Sequence, residues 1–234
     1  MKTIVLTVFI TFIFAGTSFA QTSTDFIKAM DSYRSTKLIG GGLNALTEKD
    51  IEGSPYLNND FISGKVITTT NTEYVDIPLR FNIYNDQIEF KTEGEEIMIL
   101  AASEIIEKIE FGEYKIFYAP YSKAKIIKRG FFILLEGGKA DLYAKPEIKF
   151  IEATKPLAYQ EAQPAKFNRR SDSYYIRIGI DEAKLVENKK NLVDIFPDNK
   201  EKIEEFIKKN KTKTNDPESL KELVQFYNSI ENHE

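Results

Sequence analysis

The sequence predicts an α+β protein: an antiparallel β meander, built as a half-barrel, barrel or sandwich, with a C-terminal helical segment docked on it. From residue 61 onward apolar and polar residues alternate, most clearly between Val75 and Ile83, as in strands with one buried face. Short strand-like runs follow one another along the chain. After Gly179 the period becomes helical, as in the i, i+3, i+4, i+7 series from Leu220 to Tyr227.

Composition excludes several kinds of chemistry. The 234 residues include no Cys, no Trp and one His, His233, close to the C-terminal end. Thiolate nucleophiles, iron–sulfur clusters and Cys-ligated zinc are therefore excluded. A Ser-His-Asp triad or multi-His metal site is not expected, and we predict neither a cofactor nor a metal site. The net charge of −4 gives no reason to expect nucleic-acid binding.

The first twenty residues have the layout of a secretory signal peptide. Lys2 is the positive n-region, an apolar stretch runs from Ile4 to Phe14, and small residues Ser18 and Ala20 precede the expected cleavage site. The alternative is a retained anchor, but the apolar run is shorter than the ~20 residues of a membrane-spanning helix. We therefore expect an exported protein, periplasmic or outer-membrane-associated, with no transmembrane segment after cleavage.

The remaining chain is predicted to contain three parts. Residues 21–53 form an N-terminal lead with a short helix near Phe26 and a Gly40–Gly42 connector. Residues 54–180 form the antiparallel β domain, and residues 181–234 form helices packed on it. The stretch 154–173 has no clear period and is predicted as a long ordered loop or crossing connection.

Turn chemistry and helix caps predict local structure within these parts. Three two-residue turns are expected at 85–86, 112–113 and 137–138, which would pair residue 83 with 88, 109 with 116, and 133 with 142. Weaker strands are expected at 61–68, 96–101, 147–151 and 174–179. Asp198 with Glu201 is typical of a capping box, and Asp216-Pro217 of an N-cap followed by proline.

Two polar and aromatic clusters are candidate binding surfaces. Tyr74, Arg80 and Tyr84 share the polar face of the best strand, where planar side chains could bind sugar rings or peptide. Strand propensity alone would also place tyrosines there. The second cluster lies beside the irregular loop, where function often resides, although it could simply be a salt-bridged start of the last strand. It contains Arg169, Arg170, Asp172, Tyr174 and Tyr175.

Three groups of charged residues can each be interpreted in more than one way. Lys123, Lys125, Lys128 and Arg129 begin one predicted strand and could protect its edge. Lysines at 208–213 could contact anionic lipid or cell-wall polymer, or only form a solvated helix end. Abundant carboxylates are compatible with a glycosidase, but they lack the spacing of a calcium loop.

Several short segments of the sequence form a recognisable set: Gly53-Ser54-Pro55-Tyr56-Leu57-Asn58, Phe61, Gly64-Lys65-Val66, the stretch from Ile77 to Tyr84, Pro164-Ala165-Lys166-Phe167, and Leu223 to Asn228. Together they resemble a family of exported proteins of Gram-negative bacteria that has no assigned activity. The resemblance spans most of the expected mature chain. It implies export and a single composite unit, and it transfers no catalytic or binding residue.

The sequence therefore predicts a non-catalytic binding or interaction module of the cell envelope, with an unknown envelope protein, glycan or lipid as partner. Two alternatives remain open. One is a carboxylate-dependent hydrolase of envelope glycans, which requires two carboxylates in one cleft. The other is a lipid carrier, which requires a large apolar interior.

Overall fold

The computed structural model describes Phe26 and residues 36–37, 51–100, 103–123, 126–154 and 163–230. In these ranges the strands are β1 Thr36–Lys37, β2 Ile62–Thr68, β3 Glu73–Asn82, β4 Gln87–Lys91, β5 Ile97–Ile99, β6 Ile106–Phe111, β7 Tyr114–Lys123, β8 Ile126–Glu136, β9 Ala140–Lys145, β10 Ile148–Ile151, β11 Lys166–Arg169, β12 Ser173–Ile178 and β13 Lys184–Leu185. The α-helices are α1 Lys189–Ile195, α2 Lys200–Asn210 and α3 Pro217–Ser229. The Gly40–Gly42 connector, Lys125 and His233 lie outside the described residues.

One curled antiparallel sheet organises the molecule, with strand order β1-β5-β4-β3-β2-β6-β7-β8-β9-β12-β13. The α+β class and the C-terminal helices are confirmed. The strands form two meanders, β2 to β5 and β6 to β9, because β6 pairs with β2 instead of following β5. That pairing sets buried Val66 beside buried Ile109. β10 and β11 form a separate hairpin, so the predicted loop at 154–173 contains a strand.

The last strands curl back towards β7. The backbone N–H of Ala183, just before β13, donates to the Pro120 carbonyl at 2.8 Å, and the Ser122 N–H donates to the Ala183 carbonyl at 3.3 Å. These bonds enclose a small aromatic core beneath β7, β8, β9 and β12. Its fully buried rings include Phe132, Tyr143 and Tyr175.

A β-bulge in β3 changes which side chains face the main core. Gly64 pairs with Ile77 but Val66 pairs with Tyr74, so β3 has one residue more than β2 between these pairs. Asp76 takes a positive φ of 56° at this point. An extra residue reverses the inward and outward alternation. Tyr74 is therefore buried in the core, and Val75, predicted to face inward, is only half-buried.

The three predicted turns have different outcomes. The turn at 112–113 is confirmed, with Ile109 opposite Ile116. At 85–86 the observed register pairs Phe81 with Ile88, so the loop has four residues instead of two. At 137–138 the expected partner of residue 133 is also wrong: Ile133 pairs with Ala144, and the register shifts further along β8.

The helices cover one side of the β9 and β12 region. Their apolar residues form a continuous cluster with Leu142 and Ile176 of the sheet. The Asp216 cap is confirmed, since its carboxylate accepts from the Ser219 N–H at 3.1 Å. The Asp198 capping box is wrong: helix α2 begins one residue later, after Asn199, and the Asp198 carboxylate accepts from the Asn199 side-chain amide.

Candidate functional site

Arg80 lies in a largely buried ion pair. Strand pairing places it opposite Glu89 of β4. Its Nη2 and Nε donate to the same Glu89 oxygen, Oε2, at 2.6 and 3.1 Å, while the Asn82 side-chain amide donates to the other oxygen at 3.0 Å. The Arg80 and Glu89 side chains are 13% and 2% exposed. Most of the hydrogen-bonding capacity of Arg80 is thus used inside the protein.

The segment before β2 covers this ion pair. The Tyr56 ring lies 3.6 Å from Arg80 Cζ and the Phe61 ring 4.4 Å from it, which are cation–π contacts. The Asn59 carbonyl accepts from Arg80 Nη1 at 3.1 Å. The Gly53-Ser54-Pro55-Tyr56 motif therefore has a structural role, because the chain here runs beside the end of β3, where Tyr56 forms an antiparallel bridge with Asn82.

Tyr84, at the end of the same sequence run, is 40% exposed. Its ring packs against Phe167 of β11 at 5.3 Å between centroids and lies 6.4 Å from Phe150 of β10. Phe150 and Phe167 contact each other at 5.3 Å. The Pro55 carbonyl accepts from the Tyr84 N–H at 3.2 Å. Backbone and rings together hold the Tyr84 side chain at a fixed place on the surface.

A concave surface region, which we call the Tyr84 cleft, opens beside this ring. It has a volume of about 590 Å³, and its lining includes Tyr84, Glu147, Lys149, Phe150 and Arg170. A second depression of about 270 Å³ is lined by Ser54, Tyr56, Arg80 and Phe167, among others. Phe167 contacts Tyr84 and lines this second depression, so the two concave regions adjoin through one aromatic cluster.

The structure divides the second predicted cluster. Arg169 pairs with Asp172 at 2.5 Å and donates to the Glu147 carbonyl at 3.2 Å, which fixes the chain before β12. Arg170 is exposed and lines the Tyr84 cleft. The first and second clusters, far apart in sequence, therefore meet through Tyr84 and Arg170.

Tyr74, Tyr174 and Tyr175 are not among the residues that line the Tyr84 cleft. Tyr74 faces the main core because of the β3 bulge and packs against Phe26 at 5.0 Å. Tyr174 is half-buried between the sheet and the helices, and burial raises its pKa. Tyr175 is 1% exposed in the small aromatic core, where burial raises its pKa to about 12. The burial of Tyr74 and Tyr175 argues against the prediction that they bind a ligand, whereas that of the half-buried Tyr174 stays a prediction.

Of the two acidic side chains that line the cleft, Glu147 has a charged partner. Glu147, in the cleft wall, lies 3.6 Å from Lys123. Elsewhere, hydrogen bonds from Ser219 lower the pKa of Asp216, and the hydrogen bond from Lys108 lowers that of Glu110. Among the described residues, no group of three His, Cys, Asp or Glu side chains is arranged to hold a metal ion.

Phe150 and Phe167 are the site residues that sequence reasoning missed. Both belong to short strands whose pairing across residues 152–165 has no local turn signature. The resemblance did include Phe167, but without a role. Their partner Tyr84 becomes part of a cleft only when the β10–β11 hairpin folds over the end of β3.

No family model, curated protein or solved structure matches this chain. Among the described residues, no helix combines the length and apolar character needed to cross a bilayer.

Proposed function

We propose that this chain is an exported, non-catalytic binding protein of the cell envelope, and that it binds a glycan at the Tyr84 cleft. The observation that carries the proposal is the exposed Tyr84 ring, held by Phe150 and Phe167 in the wall of a cleft that Arg170 also lines.

The chemistry of the cleft favours a glycan over a small apolar ligand. An aromatic face offers an apolar surface for the C–H groups of a sugar ring. Arg170 and Lys149 supply donors, and Glu147 and Glu152 supply acceptors, around that face. Because the cleft is open to solvent, it suits part of an extended chain rather than an enclosed ligand.

Hydrolysis of a glycan has less support. Two carboxylates, Glu147 and Glu152, line the cleft, as a glycosidase would need. Glu147, however, is paired with Lys123, and Glu152 is exposed. An exposed carboxyl group lacks the enclosed, water-poor surroundings in which the general acid of a glycosidase acts.

Lipid carriage inside the fold has less support as well. The apolar face of the sheet is filled by its own side chains, with Ile77, Leu79 and Phe90 at most 1% exposed. The more enclosed cavity beside Ile176 and Ile195 has a volume of only about 40 Å³. That volume is far below the ~300 Å³ or more of typical ligand pockets.

Export is part of the proposal and is supported by the signal-peptide pattern of residues 1–20 and by the family resemblance. Fractionation of Gram-negative cells that express the protein, with N-terminal sequencing or mass spectrometry of the chain in each fraction, tests it. A chain that begins at Gln21 supports export, and one retained in the cytoplasm with Met1 contradicts it.

The absence of Trp from the sequence provides a direct test of the binding site. A Tyr84→Trp variant keeps an aromatic face and introduces a single Trp reporter. We expect its emission to shift on titration with soluble muropeptide fragments. Tyr84→Ala and Arg170→Ala should lose retention on peptidoglycan sacculi, whereas Ile180→Ala, at a 90% exposed position, should retain it.

Retention of Tyr84→Ala at the wild-type level would place any glycan binding elsewhere and contradict the proposed site. Release of reducing ends during the titration would contradict the non-catalytic part of the proposal.

A further inference from the structure

Strand β8 begins with two exposed isoleucines. Ile126 and Ile127 are 60% and 68% exposed. They pair with Lys123 and Ser122 of β7, whereas β8 pairs with β9 only from Ile133 onward. Successive strand residues point to opposite faces. This part of β8 has no β9 partner beside it, and among the described residues no layer covers either isoleucine.

Positive charge surrounds this apolar pair. Lys123, Lys128 and Arg129 are all exposed. Lys123 pairs with Glu147, and the Arg129 guanidinium lies 5.2 Å from the Tyr118 ring. The sequence has no Asp or Glu between Glu113 and Glu136. In a chain with a net charge of −4, this hairpin is a locally cationic element.

We infer that this hairpin tip, formed by Lys123, Ile126, Ile127, Lys128 and Arg129, binds the surface of an anionic lipid membrane. The two isoleucines enter the boundary between headgroups and acyl chains, and Lys128 and Arg129 contact anionic headgroups beside Lys123, whose charge Glu147 partly neutralises. Peripheral membrane binding commonly combines an apolar insertion with electrostatic attraction of this kind.

Other occupants fit this tip less well. A second copy paired symmetrically along the same edge of β8 would bring Lys128 and Arg129 close to their own equivalents, which like-charge repulsion disfavours. An anionic polysaccharide would use the cations but leave the isoleucines exposed to water. Protection of the β8 edge against pairing with another chain would explain the charges. Two adjacent exposed isoleucines would instead favour such pairing.

Sedimentation with vesicles tests this inference. Vesicles of phosphatidylcholine and phosphatidylglycerol in equal parts are compared with phosphatidylcholine alone. All variants carry the same N-terminus as the wild type, so residues 4–14 contribute equally. We expect the wild type to prefer the anionic vesicles. The Ile126→Ser/Ile127→Ser variant should bind them about tenfold more weakly or worse, and Lys128→Gln/Arg129→Gln on the order of tenfold more weakly.

Matched controls lie elsewhere on the surface. Ile180→Ser removes an exposed isoleucine from the β12–β13 turn, and Lys189→Gln/Lys190→Gln removes two exposed cations from α1. Both should bind like the wild type. Equal binding by the isoleucine double variant and the wild type, or no preference for anionic vesicles, would overturn the inference. So would a wild-type dimer that the isoleucine substitutions dissociate, because the tip would then bind a second copy.

Discussion

Arg80 and Glu89 form a buried ion pair across β3 and β4, with Nη2 and Oε2 2.6 Å apart. Moving two charges out of water is costly, and the cost is offset only when further hydrogen bonds satisfy both groups. Here the Asn82 amide and the Asn59 carbonyl supply such bonds. The pair thus links β3 and β4 to the segment before β2 that covers them. Breaking the pair should therefore weaken the contacts of both strands and of that segment.

Removing Glu89 should destabilise the protein strongly. Glu89→Ala leaves the Arg80 charge without its counter-ion in a site that is mostly closed to water, and we expect a loss of about 3–5 kcal/mol in the free energy of unfolding. Urea unfolding measures it. Glu110→Ala is the matched control, because its pair with Lys108 is about a third exposed; that loss should stay below about 1 kcal/mol. Equal losses for the two variants would contradict a special role for the buried pair.

A side chain at Gly64 has no space. A Cβ built there would lie 2.4 Å from the Glu110 carbonyl oxygen and 2.7 Å from the Phe111 Cβ, both on the neighbouring strand and unable to move independently. Gly64→Ala should therefore lower the free energy of unfolding by about 1–3 kcal/mol, because the added methyl group overpacks the sheet. At Gly94 the nearest atom would be 3.7 Å away, so Gly94→Ala should change the thermal midpoint little. Equal midpoints for the two variants would contradict the steric argument.

Hydrophobic alternation and cap chemistry allowed the α+β class, the β6–β7 turn and the Asp216 cap to be predicted. They could not reveal the β3 bulge, because one extra residue with a positive φ at Asp76 leaves no reliable local pattern. Tyr74 was therefore assigned to the wrong face. Tyr84 and Arg170 were both predicted as site residues, but their meeting depends on the β10–β11 hairpin, a contact between distant segments that neither local sequence encodes.

Tyr175 makes the fold sensitive to alkaline pH. Burial raises its pKa to about 12, whereas in the unfolded chain a tyrosine ionises near pH ~10. Between these values the unfolded state loses a proton that the folded state keeps. Stability that is fully present below pH ~10 should therefore fall by up to about 1.4 kcal/mol per pH unit and level off once the folded state also ionises.

Tyr175→Phe removes this contribution. Its unfolding free energy should decline less steeply than that of the wild type from pH ~10 upward, as followed by urea unfolding at a series of pH values. Burial also raises the pKa of Tyr143, so some alkaline loss should remain in the variant. Parallel curves for variant and wild type would mean that Tyr175 ionises equally in both states, contrary to its burial.

Asn228 connects helix α3 to the first residue of β9, Ala140. Its side-chain oxygen accepts from the Ala140 N–H at 2.7 Å, and its side-chain nitrogen donates to the Ala140 carbonyl at 3.0 Å. Asn228→Ala leaves the backbone N–H and carbonyl of Ala140, a buried residue, without their hydrogen-bond partners. We therefore expect a loss of about 2–3 kcal/mol in the free energy of unfolding. Gln225→Ala removes an exposed hydrogen bond between the same helix and Glu136 and should lower the free energy of unfolding by less than about 1 kcal/mol.

Hydrogen exchange should separate local from global effects of the Asn228 substitution. In Asn228→Ala the amides of α3 should lose protection more than those of β3. Uniform loss across both elements would show that Asn228 supports the whole fold rather than the docking of this helix.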